Sequence, residues 1–382
     1  MTFEMISGSQ AAATAVQRVG VDLIAAYPIT PQTAIVETLA DFDARGELGG
    51  EFVSVESEYS ALAFCTGASA SGARVFTATA SHGLAYMHEM IHWSSGARLP
   101  IVMVNVNRAI GAPWCLDPDQ GDSLSQRDTG WLQIYCANAQ EVFDTVLQAF
   151  SLAEKLLLPC MVVFDGFYIS HTYEVVDIAE KSLVQSLIGP PNFKAQVVPG
   201  YPENLHGLST GETVHKLVKN RDDAMHLAPE VFAEINKQFK KVFGRSYQDV
   251  DEYIPAGARK AFMAVGALAE TVKWSLPDLE NIGLIKLRMF RPFPAERLRA
   301  IVKAYELEEI IVLDRNYSIG SGGVFAQELC QALYQLPVKP VIRDLILAGG
   351  IDLTGDMLLN MLSAGNAETN DQYLEVWGDH LK

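Results

Sequence analysis

A chain of 382 residues, 49% of them apolar, has room for two domains and a sizeable core. Its 29 Lys and Arg stand against 46 Asp and Glu, and the net charge of −17 repels phosphate backbones and anionic lipid, so nucleic acid and membrane surfaces are poor partners. Met1-Thr2-Phe3-Glu4 lacks the basic start and apolar run of a signal peptide, and no apolar stretch is long enough to span a bilayer, so the expected location is the cytoplasm.

Residues 9–19 read as a helix with closely spaced alanines. Leu23-Ile24-Ala25-Ala26-Tyr27 reads as a short buried strand that ends at Pro28. Thr30 is then placed as a helix N-cap and Pro31 at the first helical position, with Ile35, Leu39 and Ala40 on the inward face. A strand that turns sharply into a helix points backbone N–H groups and a hydroxyl into the crevice where open α/β sheets bind small ligands. Residues 52–55 form the next strand. Ser57 or Glu56 caps a helix running to about Gly72 whose Ala, Ser and Gly content suits close packing. A strand over 75–79, a helix over 83–94 and an almost wholly apolar strand over 100–106 follow; such apolar runs suit strands covered on both faces. A long loop over 107–128 precedes a strand at 132–136, a helix at 140–156 and a strand at 161–164. This alternation predicts a parallel sheet with right-handed crossovers.

After Asp165 the rhythm weakens. Residues 166–255 contain Gly189-Pro190-Pro191, Pro199-Gly200-Tyr201-Pro202 and a polar helix over 229–243, and read as a connecting region that wraps the first domain or a partner. A second α/β domain starts near Arg259, with strands at 261–265, 284–287, 310–313 and 338–342 and a helix over 323–334. The expected division is a first domain over residues 1–240, its connecting region beginning near 166, and a second over 256–382.

Four groups stand where successive parallel strands end, and such ends share one edge of a sheet. They are Thr30, Glu58, Ser81-His82-Gly83 and Asn107-Arg108. Taken singly, Glu58 reads first as a first-turn glutamate favoured by the helix dipole, Arg108 as an ordinary surface or loop-anchoring arginine and His82 as a satisfied loop histidine. Other motifs are missing. No G-x-G-x-x-G follows the first strand, and there is no P-loop and no H-E-x-x-H. The cysteines, Cys65, Cys115, Cys136, Cys160 and Cys330, are odd in number, widely spaced and contain no C-x-x-C, which argues against a disulfide framework, a zinc ribbon or a ferredoxin-type cluster in this chain. Gly320-Ser321-Gly322-Gly323 opens a helix and reads as a tight turn or an anion-facing loop.

Several stretches resemble the α subunit, or the first two domains, of 2-oxoacid:ferredoxin oxidoreductases, of which the pyruvate synthases are the best-known branch. They are Tyr27-Pro28-Ile29-Thr30-Pro31, Glu56-Ser57-Glu58, Thr79-Ala80-Ser81-His82-Gly83-Leu84, Asn107-Arg108-Ala109-Ile110-Gly111-Ala112-Pro113-Trp114 and Asp122-Ser123-Leu124-Ser125-Gln126-Arg127-Asp128-Thr129-Gly130-Trp131. Asp165-Gly166-Phe167 with Ser170-His171, Arg288-Met289-Phe290-Arg291-Pro292-Phe293-Pro294 and Leu313-Asp314-Arg315-Asn316 extend the match over nearly the whole chain in order.

The resemblance implies a parallel-sheet α/β domain that binds the pyrimidine side of thiamine diphosphate, followed by a transketolase-C-terminal-like α/β domain. It implies oxidative decarboxylation of a pyruvate-type 2-oxoacid to its acyl-CoA, with CoA as co-substrate. Electrons would pass to iron–sulfur clusters on other subunits and on to ferredoxin or NAD. A β subunit would hold Mg²⁺ and the diphosphate, which fits the absence here of a G-D-G followed downstream by Asn. The γ and ferredoxin-like δ subunits would complete a dimer of heteromers, and no metal ligand is expected in this chain. Glu58 matches the glutamate that hydrogen-bonds the aminopyrimidine ring and favours its imino tautomer, the base for the thiazolium C2 proton. Thr30 matches the threonine beside the substrate, and Arg108 the arginine near the substrate carboxylate, where a guanidinium fork suits the geometry. Pro28, Ile29, Ser81 and His82 fall on the implied cofactor side, with His82 also near the substrate. Thr30 speaks against the oxalate branch, where a basic residue would meet a second carboxylate. The chain departs from the family pattern at His82, where many members carry Gln, and in Trp114-Cys115-Leu116-Asp117-Pro118-Asp119-Gln120. Both departures leave room for a bulkier acid, such as the aromatic phenylglyoxylate. A non-catalytic scaffold subunit is the rival from another class; it has no need to retain Thr30, Glu58 and Arg108 together.

Overall fold

The computed structural model describes residues 2–198, 200, 207–364 and 373–377. The chain begins with β1 (Thr2–Ser7), α1 (Gly8–Val19), β2 (Leu23–Ala26), α2 (Thr33–Ala44), β3 (Glu51–Ser54), α3 (Glu58–Ala70), β4 (Val75–Thr79), α4 (Ser81–Tyr86), α5 (His88–Gly96) and β5 (Val102–Asn107). It continues through α6 (Gly121–Leu124), β6 (Leu132–Tyr135), α7 (Ala139–Leu156), β7 (Cys160–Asp165), β8 (Tyr173–Ile178), α8 (Lys181–Ile188) and α9 (Gly211–Phe243). The remaining elements are β9 (Val250–Tyr253), β10 (Lys260–Ala264), α10 (Ala267–Ser275), β11 (Ile282–Leu287), β12 (Met289–Arg291), α11 (Ala295–Tyr305), β13 (Glu309–Asp314), α12 (Val324–Leu333), β14 (Val341–Ile346), α13 (Gly355–Ala364) and β15 (Tyr373–Trp377).

Among the described residues, seven strands make the first sheet in the order β12-β6-β7-β5-β4-β2-β3, parallel throughout except for β12. Six make the second, in the order β15-β14-β13-β10-β11-β9, parallel except for β9. Strands β1 and β8 pair antiparallel as a separate ribbon. The first sheet is buried on both faces, and its alternation says where each side chain goes. Val102, Val104 and Val106 of β5 pack into one cluster with residues of α1 and α7. Met103, between them, packs into another that reaches Ala61 and Leu62 of α3, Ile91 of α5 and Met263 and Ile285 of the second sheet. The two sheets therefore share a core, in which each fully buried large apolar side chain contributes about 1.5–3 kcal/mol.

A buried ionic cluster ties the same junction. Lys286 Nζ lies 2.5 Å from Glu141 Oε1 and 2.9 Å from Glu270 Oε1. Arg288, fully buried, sets Nε 3.4 Å from Glu141 Oε2 and donates from Nη2 to Thr145 Oγ1 at 2.9 Å. Among the described residues no helix is long and apolar enough to cross a membrane.

The α/β alternation is as the sequence predicts, with local corrections. Helix α2 starts at Thr33, so Thr30 is not its cap and Pro31 lies outside it. The turn is closed by the Ile29 carbonyl, which accepts the N–H groups of Gln32 and Thr33. The expected helix over 83–94 starts at Ser81 and is two helices that meet at the fully buried Met87. The polar helix expected from 229 begins at Gly211. Thr210 caps it, and exposed i,i+4 ion pairs of Glu212 with Lys216 and Lys219 with Asp223 support the turns ahead of Pro229. The strand expected over 338–342 runs Val341–Ile346 instead, because Pro340 has no N–H to give the ladder. Strands β1, β8, β9, β12 and β15 have no counterpart in the sequence reading. Of Pro199-Gly200-Tyr201-Pro202, only Gly200 lies within the described residues.

Candidate active site

Strand β2 is followed outward by β3, and the chain then returns to β4 and builds the sheet in the other direction. The reversal between β2 and β4 is a topological switch point, and its crevice lies at the carboxyl ends of the strands. Thr30 follows β2, Glu58 opens α3 after β3, Ser81 and His82 follow β4, and Arg108 follows β5. All four predicted groups thus stand on one edge.

Arg108 makes the direct connections. It is 3% exposed, donates from Nη1 to the Thr30 carbonyl at 2.5 Å and meets His82 Nδ1 from Nη2 at 2.9 Å. Its Nε is buried without a partner among the described residues. Burial pulls the guanidinium below its usual pKa, while the carboxylates of Asp122 and Glu58 oppose that shift. The exposed Trp114 ring lies over the guanidinium, 5.8 Å from Cζ to the ring centre. His82 also faces the Gly111 N–H, 3.1 Å from its Nε2. A neutral imidazole has one acceptor nitrogen, so the ring can take one of these two donors at a time.

Glu58 is placed by its neighbours. Ser57 caps α3 through its hydroxyl, which accepts the Ser60 N–H at 3.2 Å, and this puts Glu58 in the first turn with only 8% exposure. Its carboxylate has no hydrogen-bond donor among the described residues. Gly83 makes room for it: a Cβ at that position would lie 2.7 Å from Glu58 Oε1 and 2.5 Å from Thr79 Oγ1. The Thr79 hydroxyl is itself buried and has no hydrogen-bond partner among the described residues. A nearly buried carboxylate lacking a donor, beside a cradle that a side chain would fill, fits a ligand that brings an N–H group, as an aminopyrimidine does.

Ser81 is fully buried and holds a left-handed φ of 49°. Its hydroxyl donates to the Ala109 carbonyl at 2.6 Å, joining the ends of β4 and β5. Pro28 is exposed and Ile29 half-buried on the turn after β2. They share the edge with Glu58 and His82.

Four polar residues carry structure that the sequence reading missed. Gln32 is fully buried; its side chain accepts the Ile29 N–H at 3.2 Å and donates to the Ala78 carbonyl at 3.0 Å, so it ties the turn after β2 to β4. Asp122 is a buried acceptor beneath Ser81 and Arg108. Gln120 donates its backbone N–H to the Arg315 carbonyl at 2.8 Å and Asp119 accepts the Gly349 N–H at 2.8 Å, which ties the loop to segments that follow strands of the second sheet, while the Gln120 side chain donates to Asp165 at the end of β7 at 3.3 Å. Asp122 stands within a stretch already matched to the family, which was the available signal. At Gly320-Ser321-Gly322-Gly323, Asp344 accepts the Gly323 N–H and Asp314 those of Phe325 and Ala326. The chain's own carboxylates occupy that helix start.

Comparison with known proteins identifies the family. Residues 14–237 match the family model described as pyruvate flavodoxin/ferredoxin oxidoreductase, thiamine diphosphate-binding, and residues 258–356 match pyruvate:ferredoxin oxidoreductase core domain II. The chain is 45% identical over 360 residues to ketoisovalerate oxidoreductase subunit VorA of Pyrococcus horikoshii, covering 92% of this chain and 90% of the relative. It is 39% identical over 383 residues to pyruvate synthase subunit PorA of Methanocaldococcus jannaschii, covering 98% and 97%. The fold is similar to that of a 2-oxoglutarate:ferredoxin oxidoreductase from Magnetococcus marinus, with a TM-score of 0.73 at 19% identity; the alignment covers 95% of this chain and 65% of that one. The chain belongs to the thiamine diphosphate-dependent 2-oxoacid:ferredoxin oxidoreductase family, as an α subunit.

Proposed function

We propose that this chain supplies the pyrimidine side of a thiamine diphosphate site shared with a β subunit, and that the assembled enzyme oxidatively decarboxylates a 2-oxoacid to its acyl-CoA. The observation that carries this reading is the Glu58 carboxylate, nearly buried beside Gly83 without a hydrogen-bond donor among the described residues, in the crevice that also holds Arg108 and Thr30. When bound, the cofactor supplies a carbon nucleophile and an electron sink for the 2-oxo carbon. Glu58 accepts a proton-bearing nitrogen of the aminopyrimidine and stabilises its positive charge. Arg108 receives the substrate carboxylate. The Nε and Nη2 edge that Arg74 uses to hold Glu154 is, in Arg108, half taken by His82. An arriving carboxylate takes this edge as His82 yields Nη2 and turns to the Gly111 N–H. Thr30 keeps the far side of the guanidinium fixed through its carbonyl and presents its exposed side chain to the crevice. Pro28 and Ile29 border the ring, and Ser81 orients His82. The pyrimidine-side domain lies within residues 1–240 and the transketolase-C-terminal-like domain within 256–382. Partner subunits β, γ and δ supply Mg²⁺ and the iron–sulfur clusters, in a dimer of heteromers located in the cytoplasm.

Pyruvate is the first substrate reading. The higher identity to ketoisovalerate oxidoreductase subunits, 44–45% against 39–40% for pyruvate synthase subunits, favours a second, a branched aliphatic 2-oxoacid. The test is a panel of pyruvate, 3-methyl-2-oxobutanoate and phenylglyoxylate on the assembled complex, with and without CoA, read as dye reduction and acyl-CoA formation. Turnover of an aliphatic 2-oxoacid that needs CoA is the expected result. A complex that retains no thiamine diphosphate and turns over no acid would leave the scaffold role.

A further inference from the structure

The Asp122 carboxylate is fully buried and accepts five hydrogen bonds. Oδ2 takes the Ser81 N–H at 2.9 Å, Asn105 Nδ2 at 3.2 Å and the Arg108 N–H at 3.2 Å. Oδ1 takes Asn107 Nδ2 at 2.5 Å and the Ser123 N–H at 2.7 Å. These donors come from the start of α4, from β5 and the residue after it, and from α6. One side chain therefore joins both strand ends on which His82 and Arg108 stand.

The Ser81 backbone makes this bond consequential. A non-glycine residue in the left-handed region is disfavoured, and such conformations persist at functional sites only where the surroundings over-determine them. Ser81 has φ 49°, and what holds it are its N–H on Asp122 and its hydroxyl on the Ala109 carbonyl. The next residue is His82, whose ring meets Arg108. A buried carboxylate with five donors is more than a strand end needs for hydrogen-bond satisfaction, and bonds to its ionised form are charge-assisted, roughly twice as strong as neutral ones.

We propose that Asp122 is the positioning residue of this site, holding the Ser81 turn and the Arg108 backbone so that the His82 ring and the Arg108 guanidinium meet over Thr30. The proposal rests on the reading of Arg108 as the carboxylate-binding residue. Asp122 touches neither substrate nor cofactor; it acts through Ser81 and Arg108. Its loss therefore weakens substrate capture and leaves the Glu58 side of the crevice intact.

The test is Asp122→Asn in the assembled complex. Asparagine keeps the volume and removes the charge. The expected result is a KM for the 2-oxoacid raised about tenfold or more, with kcat and thiamine diphosphate affinity little changed. Amide hydrogen exchange should accelerate at Ser81 and Arg108 and not in the strands around them. Parallel loss of kcat, KM and cofactor affinity, with exchange faster throughout the first sheet, would reduce Asp122 to a packing role and overturn the proposal. If Asp122→Asn does not fold, Asn107→Ser removes one donor from Oδ1, and a smaller KM rise with faster Ser81 and Arg108 exchange is required. The underlying reading is separated by Arg108→Lys. Should Arg108→Lys leave KM unchanged while Asp122→Asn speeds exchange at both amides, the reading of Arg108 fails and the positioning of its backbone by Asp122 stands. Should Arg108→Lys raise KM while Asp122→Asn alters neither KM nor exchange, the proposal is overturned.

Discussion

The Arg108 guanidinium crosses the switch point to the main-chain carbonyl of Thr30, 2.5 Å from Nη1. The two residues follow strands separated in the sheet by β4, so this bond fixes the width of the crevice as well as the direction of the fork. Lysine at position 108 would keep the charge and lose the planar arrangement that serves Thr30 and His82 together. Arg108→Lys should lower kcat/KM for the 2-oxoacid by about 1–3 kcal/mol of transition-state stabilisation, with thiamine diphosphate affinity unchanged. Steady-state kinetics and cofactor titration on the complex measure both; an unaltered kcat/KM removes Arg108 from the site.

Gly83 tests the placement of Glu58 without touching the carboxylate itself. A methyl group there would press on Glu58 Oε1 and Thr79 Oγ1. Glycine to alanine in a helix ordinarily gains up to about 1 kcal/mol, but overpacking here costs about 1–3 kcal/mol, and the carboxylate has to shift. Gly83→Ala should therefore weaken thiamine diphosphate binding by about tenfold or more. Cofactor affinity equal to the natural protein's would place the ring elsewhere.

What the sequence made legible follows from the sheet. Once β2, β3, β4 and β5 are read as parallel, Thr30, Glu58, Ser81, His82 and Arg108 must share an edge, since a parallel sheet puts every strand's carboxyl end on one side. The turn after β2 was less legible. A nearby hydroxyl and a proline pointed to Thr30 as the cap, whereas Gln32 decides the geometry through the Ala78 carbonyl, 46 positions away. Asp122 has the same character: its donors at Ser81 and Asn105 lie 41 and 17 positions away, and no local pattern records them. Strand β12 was hidden because three residues from the far part of the chain complete the first sheet beside β6. The ribbon of β1 and β8 was hidden because its pairing, such as Met5 with Val175, links the two ends of a long intervening segment.

Asp122 also gives the protein a signed pH response. Burial pushes its carboxyl up to about 6, against the hydrogen bonds from Ser81, Asn107, Asn105 and Arg108 that pull it down. In the unfolded chain the same group titrates near about 3.9. Between these values the folded state holds more protons than the unfolded one, so this group's contribution to stability is full below about 4 and is lost as pH rises to about 6. Asp122→Asn removes the contribution. The Tm of the natural protein minus that of the variant should shrink between pH 4 and 6.5, measured by calorimetry in matched buffers; a difference that widens with pH contradicts the assignment.

Glu58→Gln is expected to abolish turnover while fold and assembly survive. Glutamine still reaches the ring but cannot stabilise its protonated form, and positioned acid–base groups contribute about 10²–10⁴-fold, so activity should fall by at least the lower figure. The structural cost is small, because a first-turn glutamate gains only about 0.3–1 kcal/mol from the helix dipole, and Glu58 gives up no hydrogen bond to a described residue. Glu56 is the internal control. It is acidic, two residues away and exposed, and its Oε1 accepts the Ser60 hydroxyl at 2.5 Å, which holds its carboxyl below the usual range. Glu56 precedes the Ser57 cap and lies outside α3, with its carboxylate engaged by Ser60, whereas Gly83 opens space beside Glu58. Glu56→Gln should therefore leave the rate near normal. Both variants are read in the assembled complex as exchange of the cofactor's C2 proton and as 2-oxoacid-dependent dye reduction. If Glu56→Gln is inactive and Glu58→Gln turns over, the carboxylate that serves the ring has been misassigned, and the cradle at Gly83 serves packing alone.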